Sequence, residues 1–327
     1  MMHPSNSIFV AGHRGLVGSA LLRGLQRRGY NRILVRTHAE LDLQNKHAVQ
    51  HFFSENRPEY VLLAAAKVGG IMANDTYPAD FIRNNIEIQT NVIEAAHQAG
   101  VKRLLFLGSS CIYPKLAPQP LKEEYLLSGP LEVTNRAYAI AKIAGIEMCW
   151  AYNRQYGAKF LAAMPTNMYG PEDNFDLQTS HVLPALIRKA VLAREGEERR
   201  MVVWGSGAPK REFLHSDDLA EACLFLLELP DRTFDSLLSG DDPPLINIGT
   251  GEDLTIRELA AMIAKIVGFS GEIVFDTSKP DGTPRKLLDV SKIHSLGWRH
   301  QITLEDGIRS VYETFMDQAM CDRVCHG

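Results

Sequence analysis

The sequence predicts an α/β fold, a doubly wound parallel sheet joined to a smaller mixed α/β lobe. Short apolar runs of strand character alternate with segments of helical periodicity over residues 7 to 164, the rhythm of parallel strands linked by right-handed helical crossovers. A glycine turn stands directly between the first run and the first helical segment, where a helix N-terminus would meet a phosphate. After Met164 the rhythm loosens, and shorter elements are separated by Gly/Pro/Asp-rich loops.

Composition sets the outer bounds. The 327 residues are 45% hydrophobic and 23% charged, which suits a globular chain with one large or two modest domains. The expected division is 1–170 for a cofactor domain, its sheet open to completion by later segments, and 171–327 for a mainly substrate-binding lobe. A formal net charge of -4 gives no general attraction to nucleic acid or anionic lipid. The lead Met1 to Ser7 is short and polar, and no apolar run approaches the ~20 residues of a membrane span, so a cytoplasmic protein is expected. Five cysteines, Cys111, Cys149, Cys223, Cys321 and Cys325, are odd in number and scattered, as befits reduced thiols. No metal set is expected, the Cys321 to His326 tail reading as a frayed terminus.

Taken in order, Ser7 to Ala11 reads as a buried strand running into Gly12-His13-Arg14-Gly15-Leu16-Val17-Gly18. Gly12 permits the turn, Gly15 the approach of a pyrophosphate, and Gly18 close packing of helix on strand, the dinucleotide cradle of a Rossmann sheet. Arg32 to Val35 is the second strand, ending at Arg36 where an NAD site carries an acid; with Arg14, this guanidinium suits a 2′-phosphate and argues for NADP. Asp42 is placed as cap of the next helix, adenine contact being the alternative. Tyr60 to Ala66 is a third strand running into a small-residue turn, Lys67 to Pro78 an irregular loop, and Ala79 to Ala99 a helix stopped by Gly100.

Lys102 to Leu107 is a strand whose end carries Gly108, Ser109, Ser110 and Cys111, at the carboxyl edge where such sheets bind ligands. Tyr138 and Lys142 stand four residues apart in a helical segment from 135 to 156, on one face. There the ammonium can hold a cofactor ribose and favour the ionised phenol, while Ser109 bonds a substrate oxygen. Pro165 to Pro171 is expected to be a turn-rich switch. Helices follow near 183–193, 217–229, 255–267 and 304–315, with a strand at 202–204 and a solvated charged loop at Arg194 to Arg200.

The strings Gly12-His13-Arg14-Gly15, Gly108 to Pro114, Tyr138 to Gly145, Met164 to Asn167, Trp204 to Gly207, Arg211 to His215 and Lys279 to Lys286 carry a resemblance. The chain resembles the extended short-chain dehydrogenase/reductases of nucleotide sugars from about Ile8 to Phe315. Within them it is similar to the NADPH-dependent 3,5-epimerase-4-reductases of GDP-4-keto-6-deoxy-D-mannose. That resemblance implies catalytic Ser109, Cys111, Tyr138, Lys142 and His181, with Cys111 as base and His181 as acid in epimerisation. It implies NADP contacts from Gly12, His13, Arg14, Gly15, Leu16, Val17 and Gly18, then Arg36, Leu41 and Asp42. Leu107, Gly108, Ser109, Ser110, Lys142, Pro165, Thr166, Asn167, Met168 and His181 complete the cofactor set. Asn167, Lys189, Trp204, Arg211 and Asp281 match substrate-binding positions, and a homodimer is implied through helices near 79–99 and 135–156. The departures are Lys189, where arginine is usual, and a tail from about Ala319 without counterpart.

Two other readings compete. Another nucleotide-sugar epimerase or a 4,6-dehydratase would share the Tyr/Lys pair, but a dehydratase carries an acidic pair where Ser110-Cys111 stands. A non-catalytic NADP sensor would be marked by loss of Tyr138 or Lys142, and both are present.

Overall fold

In the computed structural model residues 2–177, 179–196, 199–279 and 281–325 are described, with side chains to residue 317. The Cys321 and Cys325 side chains, Glu197, Glu198 and Pro280 lie outside that set. Six parallel strands form the main sheet in the order β10-β5-β4-β3-β1-β2. They are β1 (Ser7–Ala11), β2 (Arg32–Leu34), β3 (Tyr60–Leu63), β4 (Arg103–Leu107), β5 (Phe160–Pro165) and β10 (Leu245–Ile248). The four central strands are wholly buried, which is why they read as continuous apolar runs rather than alternating ones.

The crossovers are α1 (Leu16–Arg27), α2 (Lys46–Asn56), α4 (Pro78–Gln98) and α5 (Arg136–Tyr156), with a short α3 (Ile71–Thr76) preceding α4. Asn45, and not Asp42, caps α2 by accepting from the Ala48 amide at 3.1 Å. Asp42 instead turns the chain before it, accepting from the Gln44 amide. The stretch from Lys67 to Pro78 is not an irregular loop throughout, because Asn74 Nδ2 donates to the carbonyls of Gly69 and Gly70 and closes the α3 turn. The third strand stops at Leu63, leaving Ala64 to Ala66 outside the ladder.

Beyond β5 the chain makes β6 (Asn167–Tyr169), α6 (Val182–Glu195), β7 (Arg200–Trp204), β8 (Lys210–Arg211) and β9 (Phe213–His215). Thus the expected turn after Pro165 is a strand, since Asn167 to Tyr169 pairs in parallel with Phe213 to His215. The expected charged loop is divided: Arg194 closes α6 and donates to the Val267 carbonyl and the Tyr312 hydroxyl, whereas Arg200 opens β7.

α7 (Ser216–Glu228) and α8 (Asp231–Leu238) follow, then β10, which completes the first sheet by pairing with β5. The remaining elements are β11 (Leu254–Thr255), α9 (Ile256–Val267), β12 (Glu272–Asp276), β13 (Arg285–Lys286), α10 (Ser291–Ser295) and α11 (Leu304–Cys325), the last extending well past the expected Phe315. Two apolar cores result. One surrounds the main sheet and includes α7 and Phe234 of α8; the other packs α6, α9 and α11 around β7. Residues after 170 therefore serve both cores. Among the described residues no helix is long and apolar enough to cross a membrane.

Glu212, between β8 and β9, is wholly buried. Its carboxylate accepts from the amides of Thr250, Gly251 and Leu288 at 2.7, 2.8 and 2.9 Å. Its own carbonyl accepts from Thr166 Oγ1 and Asn167 Nδ2. Removing the carboxylate leaves three backbone donors without their acceptor, that of Leu288 buried and the other two partly so, so Glu212→Ala should lower unfolding stability by about 2–4 kcal/mol. Glu212→Gln, which keeps one acceptor oxygen, should lose less. Urea midpoints of the two variants within experimental error of wild type would show that these bonds carry no net stability.

Candidate active site

The glycine turn has the tight conformation and close packing its spacing predicts. Gly12 has φ +87°, and a Cβ there would lie 2.8 Å from the Ala65 backbone; a Cβ on Gly18 would lie 2.0 Å from the Gly12 oxygen. At Gly15, by contrast, a Cβ would meet nothing nearer than 3.6 Å. The α1 N-terminus has no side-chain cap, so the first-turn amides of Leu16 and Val17 face outward without one, as an anion site requires.

Past β2, Arg36 is exposed, its guanidinium over the Phe52 ring at 5.3 Å and bonded to the Val35 carbonyl. The carboxylate of Glu40 feels the charge of both Arg36 and Arg14. Glu40 was invisible to the sequence reading. It accepts from the Thr37 amide and hydroxyl, which with the arginines holds its pKa low. Leu41 is buried beside them.

At the carboxyl end of β4 a 3-10 turn, Ser110–Ile112, carries Cys111, with Ser109 Oγ accepting from the Cys111 amide at 3.3 Å. The turn faces the start of α5. The Tyr138 hydroxyl lies within interaction range of Ser109 and Cys111. Lys142 is 3% exposed, donates to the Leu107 carbonyl at 2.8 Å and lies 5.8 Å from the Tyr138 ring centroid. Tight packing fixes α5 here, since a Cβ on Gly145 would fall 2.4 Å from the Phe106 ring, and Gln89 Nε2 donates to the Ala141 carbonyl.

These neighbours correct the electrostatics expected of the pair. Burial drives the Lys142 pKa from 10.5 down to about 7, with charge on Cys111 pulling it back up. Burial also raises the Tyr138 pKa, reinforced by Cys111 and opposed by Ser109. Desolvation is the largest effect on the phenol, which keeps its proton at neutral pH, the state of a donor rather than of an ionised base.

His181 caps the start of α6 in position but makes no side-chain cap bond. Water reaches its ring, yet protein atoms crowd it enough that desolvation lowers its pKa. The preceding Thr179 accepts from the Gly70 amide, tying this loop to the segment before α3. Pro165, Thr166 and Met168 continue from the β5 end into β6. Asn167 has already committed its amide donor to Glu212.

Further along the groove Lys189 stacks on Trp204 at 4.6 Å, with Lys279 over the same ring at 5.7 Å. The indole therefore carries two cations. Burial lowers the pKa of Lys189 and of Arg211, opposed by Asp276 and Asp281 respectively. Asp281 is turned toward Ser206, accepting from its amide at 2.9 Å and its hydroxyl at 2.7 Å. The sequence reading also passed over Asn135, whose Nδ2 lies 3.3 Å from Cys111 Sγ. The signal was present in its place just before α5, where an asparagine ordinarily spends its side chain on the helix amides.

Residues 8–249 match the NAD dependent epimerase/dehydratase family. The chain is 57% identical over 312 residues to the GDP-L-fucose synthase of Escherichia coli (strain K12), spanning 95% of this chain and 96% of that protein. It is 55% identical over 320 residues to the putative GDP-L-fucose synthase 2 of Arabidopsis thaliana, spanning 98% and 94%. Among solved structures it is similar to a GDP-mannoheptose C4 reductase from Campylobacter jejuni with NADP bound. That match has a TM-score of 0.89 and 45% identity over 97% of this chain and 100% of that one.

The depressed Lys142 pKa has a consequence for stability. Between about 7 and 10.5 the unfolded chain holds a proton on this amine that the folded protein without cofactor does not, so this group makes stability rise with pH across that window. In Lys142→Met the rise in urea midpoint from pH 7 to pH 9 should be smaller than in wild type. Equal rises would mean that the buried amine keeps an ordinary pKa.

Proposed function

Because the chain belongs to the NAD dependent epimerase/dehydratase family, we propose that it converts GDP-4-keto-6-deoxy-D-mannose to GDP-L-fucose with NADPH. C3 and C5 are inverted first, and C4 is then reduced. The observation that carries this reading is Cys111 on the turn after Ser109, its Sγ 3.3 Å from Asn135 at the start of the helix that bears Tyr138 and Lys142. A reductase alone needs no second proton-transfer group beside its tyrosine. Similarity to the GDP-L-fucose synthases supports the same reading.

The residues present fit the cofactor. The space at Gly15 and the uncapped α1 N-terminus suit a pyrophosphate held by Gly12 to Gly18. Arg14 and Arg36 suit a 2′-phosphate, Leu41 and Asp42 the adenosine, and Leu107 to Ser110 with Pro165 to Met168 the nicotinamide half. When bound, NADPH supplies the hydride for C4.

In the proposed mechanism the 4-keto group acidifies the hydrogens on C3 and C5. Cys111 removes a proton from one face and His181 returns one to the other, for each carbon in turn. Ser109 then orients the carbonyl while the protonated Tyr138 donates to its oxygen. Lys142 supports Tyr138 and the cofactor ribose. Lys189 and Arg211 offer cations to the diphosphate, Trp204 a ring face, and Asn167 and Asp281 polar contacts.

A second reading, C4 reduction without epimerisation, is favoured by the similarity to the GDP-mannoheptose C4 reductase. The homodimer also remains part of the proposal. It is supported by Ile86 of α4 and Ile140 of α5, apolar side chains 36% and 37% exposed on two helices that pack together; a monomer mass by light scattering would remove it.

Incubation with the keto-sugar and NADPH should yield GDP-L-fucose, and NADPH should outcompete NADH, a preference that Arg36→Ala should lose. In deuterated water without cofactor, Cys111→Ser should slow C3 and C5 exchange by ~10²–10⁴-fold, while Tyr138→Phe should exchange but not reduce. Reduction by wild type with no exchange at either carbon would favour the reductase reading.

A further inference from the structure

Asn135 is the feature of this site that no role yet covers. It precedes α5 in the cap position, but its side chain makes no cap bond to the helix. Instead Nδ2 lies 3.3 Å from Cys111 Sγ, while Oδ1 is buried without a partner. An asparagine at this place would ordinarily stabilise the helix start; here both halves of the amide are withheld from it. A thiolate can only accept, so once Cys111 is ionised the NH2 half must face it. A hydrogen bond to the charged form of an acid favours that form.

We propose that Asn135 is a positioning residue for epimerisation, holding Cys111 toward the substrate and stabilising its thiolate through Nδ2–H···Sγ. This rests on the reading of Cys111 as the base. In the step it assists, the C–H bond α to the carbonyl breaks and an S–H bond forms on Cys111. The electron pair passes into the enolate, and the Asn135 protons stay on nitrogen. Lys142, two turns further along α5, lies within charge reach of the same sulphur, but its ammonium is itself disfavoured by burial. The neutral amide gives its support without that cost, and at a fixed distance.

The test uses the full-length enzyme and reads Cys111 directly. Cys149 and Cys223 are buried, and peptide-resolved mass spectrometry separates Cys111 from the tail cysteines. At pH 7.5 the rate of Cys111 alkylation by iodoacetamide should fall about tenfold in Asn135→Ala, the scale of one charge-assisted hydrogen bond. It should fall further in Asn135→Asp, which is nearly isosteric but sets a carboxylate against the thiolate. C3 and C5 deuterium exchange should drop in parallel, with KM for the GDP-sugar and NADPH affinity held within about twofold.

An unchanged alkylation rate in both variants overturns the proposal, even if activity falls, because a purely structural asparagine would lower activity without touching the thiolate. A faster rate in Asn135→Asp than in Asn135→Ala overturns it too. Failure of the underlying function is distinguishable: wild-type exchange at C3 and C5 surviving in Cys111→Ser would remove the base assignment whatever the alkylation rates show.

Discussion

The site depends on one buried carboxylate that touches no part of the proposed chemistry. Glu212 ties the loop after β10 and the segment after β13 to itself through three backbone amides, while its own carbonyl receives Thr166 and Asn167 from the end of β5. Burial pushes its pKa up, and the amides of Leu288, Gly251 and Thr250 with the Thr166 hydroxyl push back. The carboxylate is closely packed: a Cβ on Gly249 would sit 2.2 Å from its Oε1. The consequence is positional. Arg211, its neighbour in β8, and Asn167, at the head of β6, are set relative to the β5 edge by the same group.

Against that frame the groove is a place of costly burial. Lys142 is nearly enclosed, and its ammonium donates to the Leu107 carbonyl. The price is the lowered pKa. Tyr138 is driven the other way by the same desolvation. Opposite shifts on adjacent groups leave the phenol protonated and the amine easily discharged near neutral pH, a state suited to giving a proton to a sugar oxygen. A more polar groove would relax both shifts and remove the phenol's advantage as donor.

Much of this was legible because periodicity survives in sequence. The central strands are continuous apolar runs, and the glycine turn announces the cradle. Tyr138 and Lys142 share a helical face by spacing alone. What was hidden depends on pairing between distant segments. Asn167 to Tyr169 is three residues long and flanked by proline and glycine, so only its ladder with Phe213 to His215 makes it a strand. Leu245 to Ile248 is short and follows Pro243-Pro244, and nothing local tells that it completes a sheet begun at residue 7. Asp42 and Asn45 are equally good caps by type; the chain's turn at Asp42 decides between them. Glu40 and Asn135 escaped because each acts across a gap in sequence, one on Arg14 and the other on Cys111.

The arrangement also accounts for how one groove can hold two kinds of proton transfer. Ser109 and Cys111 are two residues apart on a 3-10 turn, and Asn135 and Tyr138 are three residues apart at the start of α5. The two segments meet in opposite senses, so Ser109 meets Tyr138 while Cys111 meets Asn135. One pair is built around a protonated phenol and the other around a sulphur. They share Lys142 as a common neighbour. Because both pairs ride on the same two segments, a shift of the 110–112 turn moves the hydroxyl and the sulphur together. In the proposed function the geometry of epimerisation is thereby coupled to that of reduction, and both steps call on groups carried by the same two segments.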